Sequence, residues 1–366
     1  MTNSLQQIKK LGQSVWLDYI RRNILDSGEV TRMIAADGLA GMTSNPAIFE
    51  KAIIEYDDYD EAVSTLIRNG SGAMEIYETL ALEDVRHAAD LFRPVYDESS
   101  GRDGFVCLEV SPHLAYDTDG TITEAKRLWT ALDRSNVMIK VPATREGLPA
   151  IKQLIAAGIN INVTLLFGVV RYREVVNAFT DGLQNRAAQG KPLNHIASVA
   201  SFFLSRIDVL VDKELDKRNQ TEAAASAQSL RGRTAVACAR LAYQHYLEWK
   251  ESSRWQALAE KGAQTQRLLW ASTGTKDPAY SDIKYIEALI GRETVNTMPP
   301  QTLTAYRDHG QPALRIEQEL DGAYALPGML AELDIHLDAV SEQLEAEGVQ
   351  KFIKPFDKLL GSLHQQ

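Results

Sequence analysis

Only two cysteines, Cys107 and Cys238, occur in 366 residues. That scarcity excludes a disulfide scaffold and a cysteine-built zinc site, and it suits a reducing compartment. Long apolar runs are missing as well. No window approaches the roughly 18 consecutive apolar residues of a membrane span. The opening residues MTNSLQQIKKLGQS have no long apolar core and no cleavage-like site, so no secretory leader is expected and the expected location is the cytoplasm. Positive charge is in deficit: 39 basic residues face 49 acidic ones, for a net charge of −10. Such a field disfavours phosphate backbones, and nucleic acid is not an expected partner. A small anion is still admissible, because a few local cations outweigh a distant, screened field. There is no GxGxxG, no Walker loop and no HExxH. The seven histidines (87, 113, 195, 245, 309, 336 and 364) show no metal-ligand spacing, and scattered surface or core imidazoles explain each of them.

What is present alternates. Eight short apolar runs read as strands: residues 14–20 (SVWLDYI), 39–44 (LAGMTS), 104–111 (GFVCLEVS), 137–141 (VMIKV), 160–166 (NINVTLL), 195–201 (HIASVAS), 267–273 (RLLWAST) and 294–297 (TVNT). Helical patterns such as residues 122–132 and 147–157 lie between them. Strand and helix in alternation argue for parallel βαβ units, and eight units match an α/β fold of the (β/α)8 TIM-barrel type. A doubly wound open sheet alternates in the same way, but that fold usually announces itself with a phosphate loop after its first strand. Here Arg21, Arg22 and a helix follow instead. Surplus length falls at residues 49–103, with an NGSG turn at 69–72, at residues 208–263, and in a helical tail from about 307 to 366. No linker or repeat separates these pieces. The expectation is one domain, residues 1–366, with extra helices in loops and at the C-terminus. The oligomeric state, monomer or homodimer, is left open.

Barrel strands should be apolar on both faces. Polar residues near their C-terminal ends are therefore informative, because barrel sites are built there. Asp18 sits in WLDYI, Asn45 closes MTSNP, Glu109 sits in CLEVSP and Lys140 in VMIKVPAT. Asn160, Asn162 and Thr164 alternate with apolar neighbours and share one face. Ser201 and Phe203 follow the sixth strand, and Ser272 and Lys276 the seventh. Each has a plain explanation. Asp18 could cap a helix, and Asn45 before Pro46 is a good turn former. Thr164 is a strand former, and STGTK could be a simple loop. Glu109 and Lys140 could be a structural ion pair, and Phe203 could be core. Accidents of this kind would scatter over both ends of the strands, whereas five strands place polar groups at the same end.

A lysine within an apolar strand needs a reason, since an unpaired buried charge costs several kcal/mol. A free lysine is neutral in only about one molecule in two thousand at pH 7. Desolvation favours the neutral, nucleophilic amine of Schiff-base enzymes. Such an amine adds to a ketone, and the iminium then serves as an electron sink for carbon–carbon cleavage. One carboxylate must take the hydroxyl proton at the breaking bond, and another acid/base must move protons around the carbinolamine.

At these residues the sequence resembles a family. The runs DGLAGMTSNPAIFEKAI, VMIKVPATREGLPAIKQLIAAGININVTLLF, ASVASFFLSRIDVLVD and LLWASTGTKDPAY resemble the transaldolases in order and over essentially the whole chain. The WASTGTKDPAY form and the C-terminal FDKLL are similar to a longer-chain bacterial branch. The resemblance implies a class I aldolase-type (β/α)8 barrel with no metal or organic cofactor. The implied reaction moves a dihydroxyacetone unit between sugar phosphates, from fructose 6-phosphate or sedoheptulose 7-phosphate to erythrose 4-phosphate or glyceraldehyde 3-phosphate, in the pentose phosphate pathway. A fructose-6-phosphate aldolase-like enzyme is the alternative.

By the same resemblance, Lys140 is the Schiff-base lysine and Asp18 the acid/base carboxylate. Glu109 and Thr164 hold a water that shuttles protons. Asn45, Asn162, Ser201 and Thr43 bind substrate hydroxyls, and Arg206 and Ser272 bind phosphate. Phe203 matches the transferases, where the related aldolases carry tyrosine. Shorter-chain members place arginine soon after the serine of strand seven; here Lys276 is the expected replacement cation.

Overall fold

The structure is a computed structural model that describes residues 3–218 and 224–365. Eight parallel strands close into a barrel in sequence order. They are β1 (Gln13–Asp18), β2 (Gly41–Thr43), β3 (Phe105–Glu109), β4 (Val137–Pro142), β5 (Ile161–Leu166), β6 (Ser198–Phe203), β7 (Arg267–Ala271) and β8 (Thr294–Met298). Closure is made by β1 pairing with β8, where Ser14 stands beside Val295 and Leu17 beside Met298. A doubly wound sheet has two free edges; this sheet has none. All eight expected strands are present, with ends moved by a few residues.

Burial explains the strand composition. Helices cover the outer face and side chains fill the interior, so β3 to β8 are buried at every position. Gly41 shows how closely strand neighbours approach. A Cβ there would lie 2.6 Å from the Trp16 indole, so β2 can pass that ring only as glycine. Helix Gly147–Ala157 has the expected bounds and stops at Gly158, whose φ of 97° suits a left-handed cap. The expected helix over 122–132 begins earlier, at Thr118, because Asp117 caps the backbone N–H of Gly120.

The surplus segments are helical. Residues 49–103 hold most of Pro46–Ile54, then Asp60–Arg68 and Ala73–Glu98, with the NGSG turn between the last two. Residues 208–263 hold Ser205–Arg218, Ala224–Leu230, Thr234–Glu251 and Ser253–Ala259. Residues 219–223 of that insert lie outside the described residues, as does residue 366 of the tail. After β8 come Pro300–His309, Leu320–Glu332 and Leu337–Gln365. The leucine spacing across 326–347 suggests one stripe, yet the chain breaks there, with Asp334 at φ 55°. The last helix then runs 29 residues through Pro355. Among the described residues no helix is long and apolar enough to cross a membrane.

Candidate active site

The C-terminal strand ends converge on a cavity of about 190 Å³. Asp18, Thr43, Asn45, Lys140, Thr164 and Ser201 line it together with Phe203, Arg206, Ser272 and Lys276. Ten of the twelve expected residues therefore meet in one space. Glu109 and Asn162 stand just outside the lining, each beside a residue that belongs to it.

Asp18 is the last residue of β1 and pairs in register with Thr43 of β2. The helix after it starts at Arg22 without a side-chain cap, so Asp18 does not serve as a cap. Thr43 Oγ1 donates to Asp18 Oδ1 at 2.7 Å and lies 2.7 Å from Thr297 Oγ1. Since the Thr43 proton goes to the carboxylate, Thr297 supplies the proton between the two hydroxyls. Burial pushes the Asp18 carboxyl above its ordinary range, against the opposing pull of Lys140, Thr43, Arg206 and Lys276.

Lys140 sits in β4 beside Glu109 of β3 on one side and Asn162 of β5 on the other. Its residue exposure is 4%, so the amine is screened from bulk water. Nζ donates to the Ser44 carbonyl at 2.9 Å and approaches Glu109 Oε2 to 3.1 Å. The ion pair read from the sequence is thus real, and it lies against the cavity. Burial raises the Glu109 carboxyl, and the Lys140 charge opposes that rise. Two buried polar atoms here, Glu109 Oε2 and Thr164 Oγ1, have no hydrogen-bond partner in the protein. Buried groups of this kind are normally satisfied, so the pair has capacity for a bound water or a reacting group.

β5 is distorted directly after Thr164. Leu165 has φ 54°, and the register with β6 shifts between Val163 and Leu166. A left-handed leucine is costly and tends to mark a functional constraint. Asn162 lies deeper, fully buried. Its amide donates to Cys107 Sγ at 3.2 Å and its Oδ1 accepts from Ser201 Oγ at 2.7 Å. Ser201 thereby spends its proton on Asn162 and offers lone pairs to the cavity. Burial pushes the Cys107 thiol up to about 12, so it is a neutral partner. Asn160 lies away from the cavity. It precedes β5 and bonds Ser135 O, Val137 O and Ala197 N, at the opposite end of the strands.

Asn45 is both a helix cap and a lining residue of the cavity. Its Oδ1 caps helix Pro46–Ile54 by accepting from Ile48 N. Ser201 and Phe203 lie within β6 rather than after it, because β6 begins at Ser198, three residues later than the apolar run suggests. Phe203 packs on Phe167 at 5.2 Å between centroids and is 5.6 Å from the Arg206 guanidinium carbon. Arg206 occupies the first turn of helix Ser205–Arg218, and its buried Nη1 has no partner. Burial lowers its pKa from the ordinary value without bringing neutrality within reach. Ser272 adopts φ 54°, and its Oγ lies 3.0 Å from Ser205 Oγ. A free fork, a hydroxyl and Lys276 at one end of a cavity suit an anionic group.

Five lining residues, Ala271, Gly274, Thr297, Pro299 and Phe352, have no counterpart among the expected ones, and two of them bear on the chemistry. Thr297 ends the TVNT run and was findable by the strand-end criterion used elsewhere. Phe352 comes from the final helix, and its ring centre lies 5.9 Å from Lys140 Nζ. Nothing in the local sequence links those two residues. Among the described residues no group of three or more His, Cys, Asp or Glu residues is arranged to hold a metal ion.

Comparison with known proteins agrees over the whole chain. Residues 15–363 match the model of the family described as transaldolase/fructose-6-phosphate aldolase. A transaldolase of Trichodesmium erythraeum is 48% identical, covering 100% of this chain and 98% of the relative. A transaldolase of Thiobacillus denitrificans is 46% identical over 99% of each chain. One of Thermobifida fusca is 47% identical over 100% of this chain and 99% of its own.

Proposed function

The chain belongs to the transaldolase/fructose-6-phosphate aldolase family, and on that premise we propose that it transfers a dihydroxyacetone unit between sugar phosphates through a Schiff base on Lys140. Sedoheptulose 7-phosphate and glyceraldehyde 3-phosphate give erythrose 4-phosphate and fructose 6-phosphate, a step of the pentose phosphate pathway. One observation carries this reading: the screened Lys140 amine shares a cavity with Asp18 and stands 3.1 Å from Glu109.

The chemistry follows from those positions. Nζ attacks the C2 carbonyl of the ketose, and the oxygen leaves as water, with Glu109 and Thr164 passing protons through a held water. Asp18 takes the proton of the C4 hydroxyl. The C3–C4 bond breaks, its electrons move to the iminium nitrogen, and the aldose leaves. The enamine that remains attacks the aldehyde carbon of the acceptor, Asp18 returns the proton, and water adds to the new iminium at C2, breaking the C–N bond to free the product ketose and the Lys140 amine. Ser201 and Asn45 hold substrate hydroxyls, with Thr43 setting the Asp18 carboxylate and Asn162 setting Ser201. Arg206, Ser272 and Lys276 bind the phosphate. Phe203 favours transfer over release, because a ring without a hydroxyl has no proton to give the enamine.

The substrates are small, water-soluble anions, so a cytoplasmic setting and the absence of nucleic-acid or membrane partners follow. The chain acts as one domain, since its last helix forms part of the site wall. The test is borohydride reduction with fructose 6-phosphate, followed by peptide mass spectrometry. The three-carbon adduct is expected on Lys140, with Lys140→Ala and Lys140→Arg losing both adduct and transfer. An adduct elsewhere, or transfer by either variant, rejects the mechanism. Rapid turnover of fructose 6-phosphate without an acceptor aldehyde identifies a simple aldolase instead.

A further inference from the structure

The final helix, Leu337–Gln365, lies over the mouth of the barrel and is tied to the segments that follow four consecutive strands. Lys358 pairs with Glu50, after β2, and Asp357 with His113, after β3. Glu342 pairs with Arg145, after β4, and Glu345 with Arg171, after β5. The His113 and Arg145 pairs are exposed and contribute little individually, whereas Glu50, Arg171 and Glu345 are largely shielded from solvent. Their arrangement nonetheless locates the helix as a strap across β2 to β5, the strands that hold Glu109, Lys140 and Thr164.

Two residues one turn apart bring that strap against the site. A Cβ on Gly348 would lie 2.9 Å from Leu165 Cδ2, so glycine allows the helix to settle onto the distorted end of β5. Phe352, four residues on and on the same helix face, enters the cavity. It is 4% exposed, with its ring centre 5.9 Å from Lys140 Nζ. Among the described residues, the only other aromatic ring lining this cavity is that of Phe203. The reacting nitrogen is thus approached by an apolar surface carried by a helix more than 200 residues away in sequence.

We propose that Phe352 is a specificity-determining wall of the site, which keeps water from the lysine-bound intermediate and so favours transfer over release of the three-carbon unit. This inference rests on the transaldolase reading. Release needs two additions to the enamine. A proton first adds at C3 and restores the iminium. Water then adds at C2, the C–N bond breaks, and dihydroxyacetone leaves with Lys140 regenerated as an amine. The net reactant is one water. Transfer uses the acceptor aldehyde in place of that proton at C3, and both routes then end in the same water addition at C2, so a wall that keeps proton-donating water from C3 suppresses release selectively.

The test measures a ratio within one enzyme sample, which a fall in folded fraction does not change. Fructose 6-phosphate and erythrose 4-phosphate are supplied together, and free dihydroxyacetone and sedoheptulose 7-phosphate are quantified. Phe352→Ala is expected to raise the ratio of release to transfer by about tenfold or more, and Phe352→Leu, which leaves a smaller gap, by a few-fold. If Phe352→Ala does not fold, Phe352→Leu decides alone. An unchanged ratio in the folded variants overturns the role of Phe352 and leaves the transaldolase reading intact. Wild-type protein that makes no sedoheptulose 7-phosphate overturns the reading itself.

Discussion

Asp18 shows what a buried carboxylate costs a barrel. Burial raises its folded-state pKa above the ordinary value of 3.8, so the folded chain holds this proton more tightly than the unfolded chain. The associated stabilisation is complete below the unfolded value and is lost as pH rises through the folded one. Above the folded value the ionised group therefore weakens the fold, although the ionised form is the one that the proposed base role needs. Asp18→Asn is expected to lower kcat by about 10²- to 10⁴-fold. Calorimetry at pH 8 should show its Tm about 1–3 °C above wild type, with the gap narrowing towards pH 4. A lower Tm at pH 8 would mean that contacts to Lys140 and Thr43 outweigh the desolvation. Lys140, Glu109 and Asp18 were legible as residues out of place in apolar strands. Thr297 was equally legible and was missed. Asn160 was misplaced because a shared strand face says nothing about height along the barrel axis.

At the scale of elements, helix Ser205–Arg218 does two jobs. Its first turn presents Arg206, and its Asp208 and Asp212 anchor the loop that carries Lys276. Asp208 accepts from Lys284 Nζ at 2.8 Å and from Tyr285 Oη at 2.9 Å. Asp212 accepts from Tyr280 Oη at 2.7 Å, and Arg231 reaches Asp277 at 3.4 Å. The spacing of the two cations is thereby held by buried carboxylates on one helix. Tyr280→Phe removes one tether and keeps the ring. It is expected to raise KM for ketose phosphates about three- to tenfold, a loss of roughly 1 kcal/mol, with kcat within twofold of wild type. Steady-state kinetics check this, and an equal fall in kcat would place Tyr280 in the chemistry instead. The loop was visible in sequence as STGTK. Its anchors were not, because Asp208 and Asp212 look like ordinary solvent-facing charges on a helix.

The whole molecule carries a net charge of −10 and handles a substrate of the same sign. The resolution is local, since Arg206 Nη1 is buried with no protein partner and lies beside Ser272 and Lys276. A charge-assisted contact of this type is worth about 1.5–3 kcal/mol. Arg206→Ala should then lower kcat/KM for phosphorylated donors by about 10- to 100-fold and change unphosphorylated ketoses little. Equal losses for both, measured on the same preparation, would reject Arg206 as the phosphate grip. The surplus length also finds its place at this scale: the last helix, seemingly a covering element, forms a wall of the site.

Eight buried runs, each joined to the next through helical sequence, limited the fold to parallel βαβ architectures, and the count of eight favoured a barrel over an open sheet. Parallel direction follows from that local pattern, whereas closure is decided by the pairing of β1 with β8. The residues proposed to react were legible for a related reason, because charge inside an apolar strand is costly and therefore visible. Tertiary structure alone decided what depends on contact between distant segments. It placed Asn160 at the far end of the strands, set Ser201 as an acceptor through Asn162 and Cys107, tethered Lys276 to a helix some 60 residues earlier, and laid Phe352 against Lys140. Such contacts leave no periodicity in a sequence, since each joins two locally ordinary residues by packing.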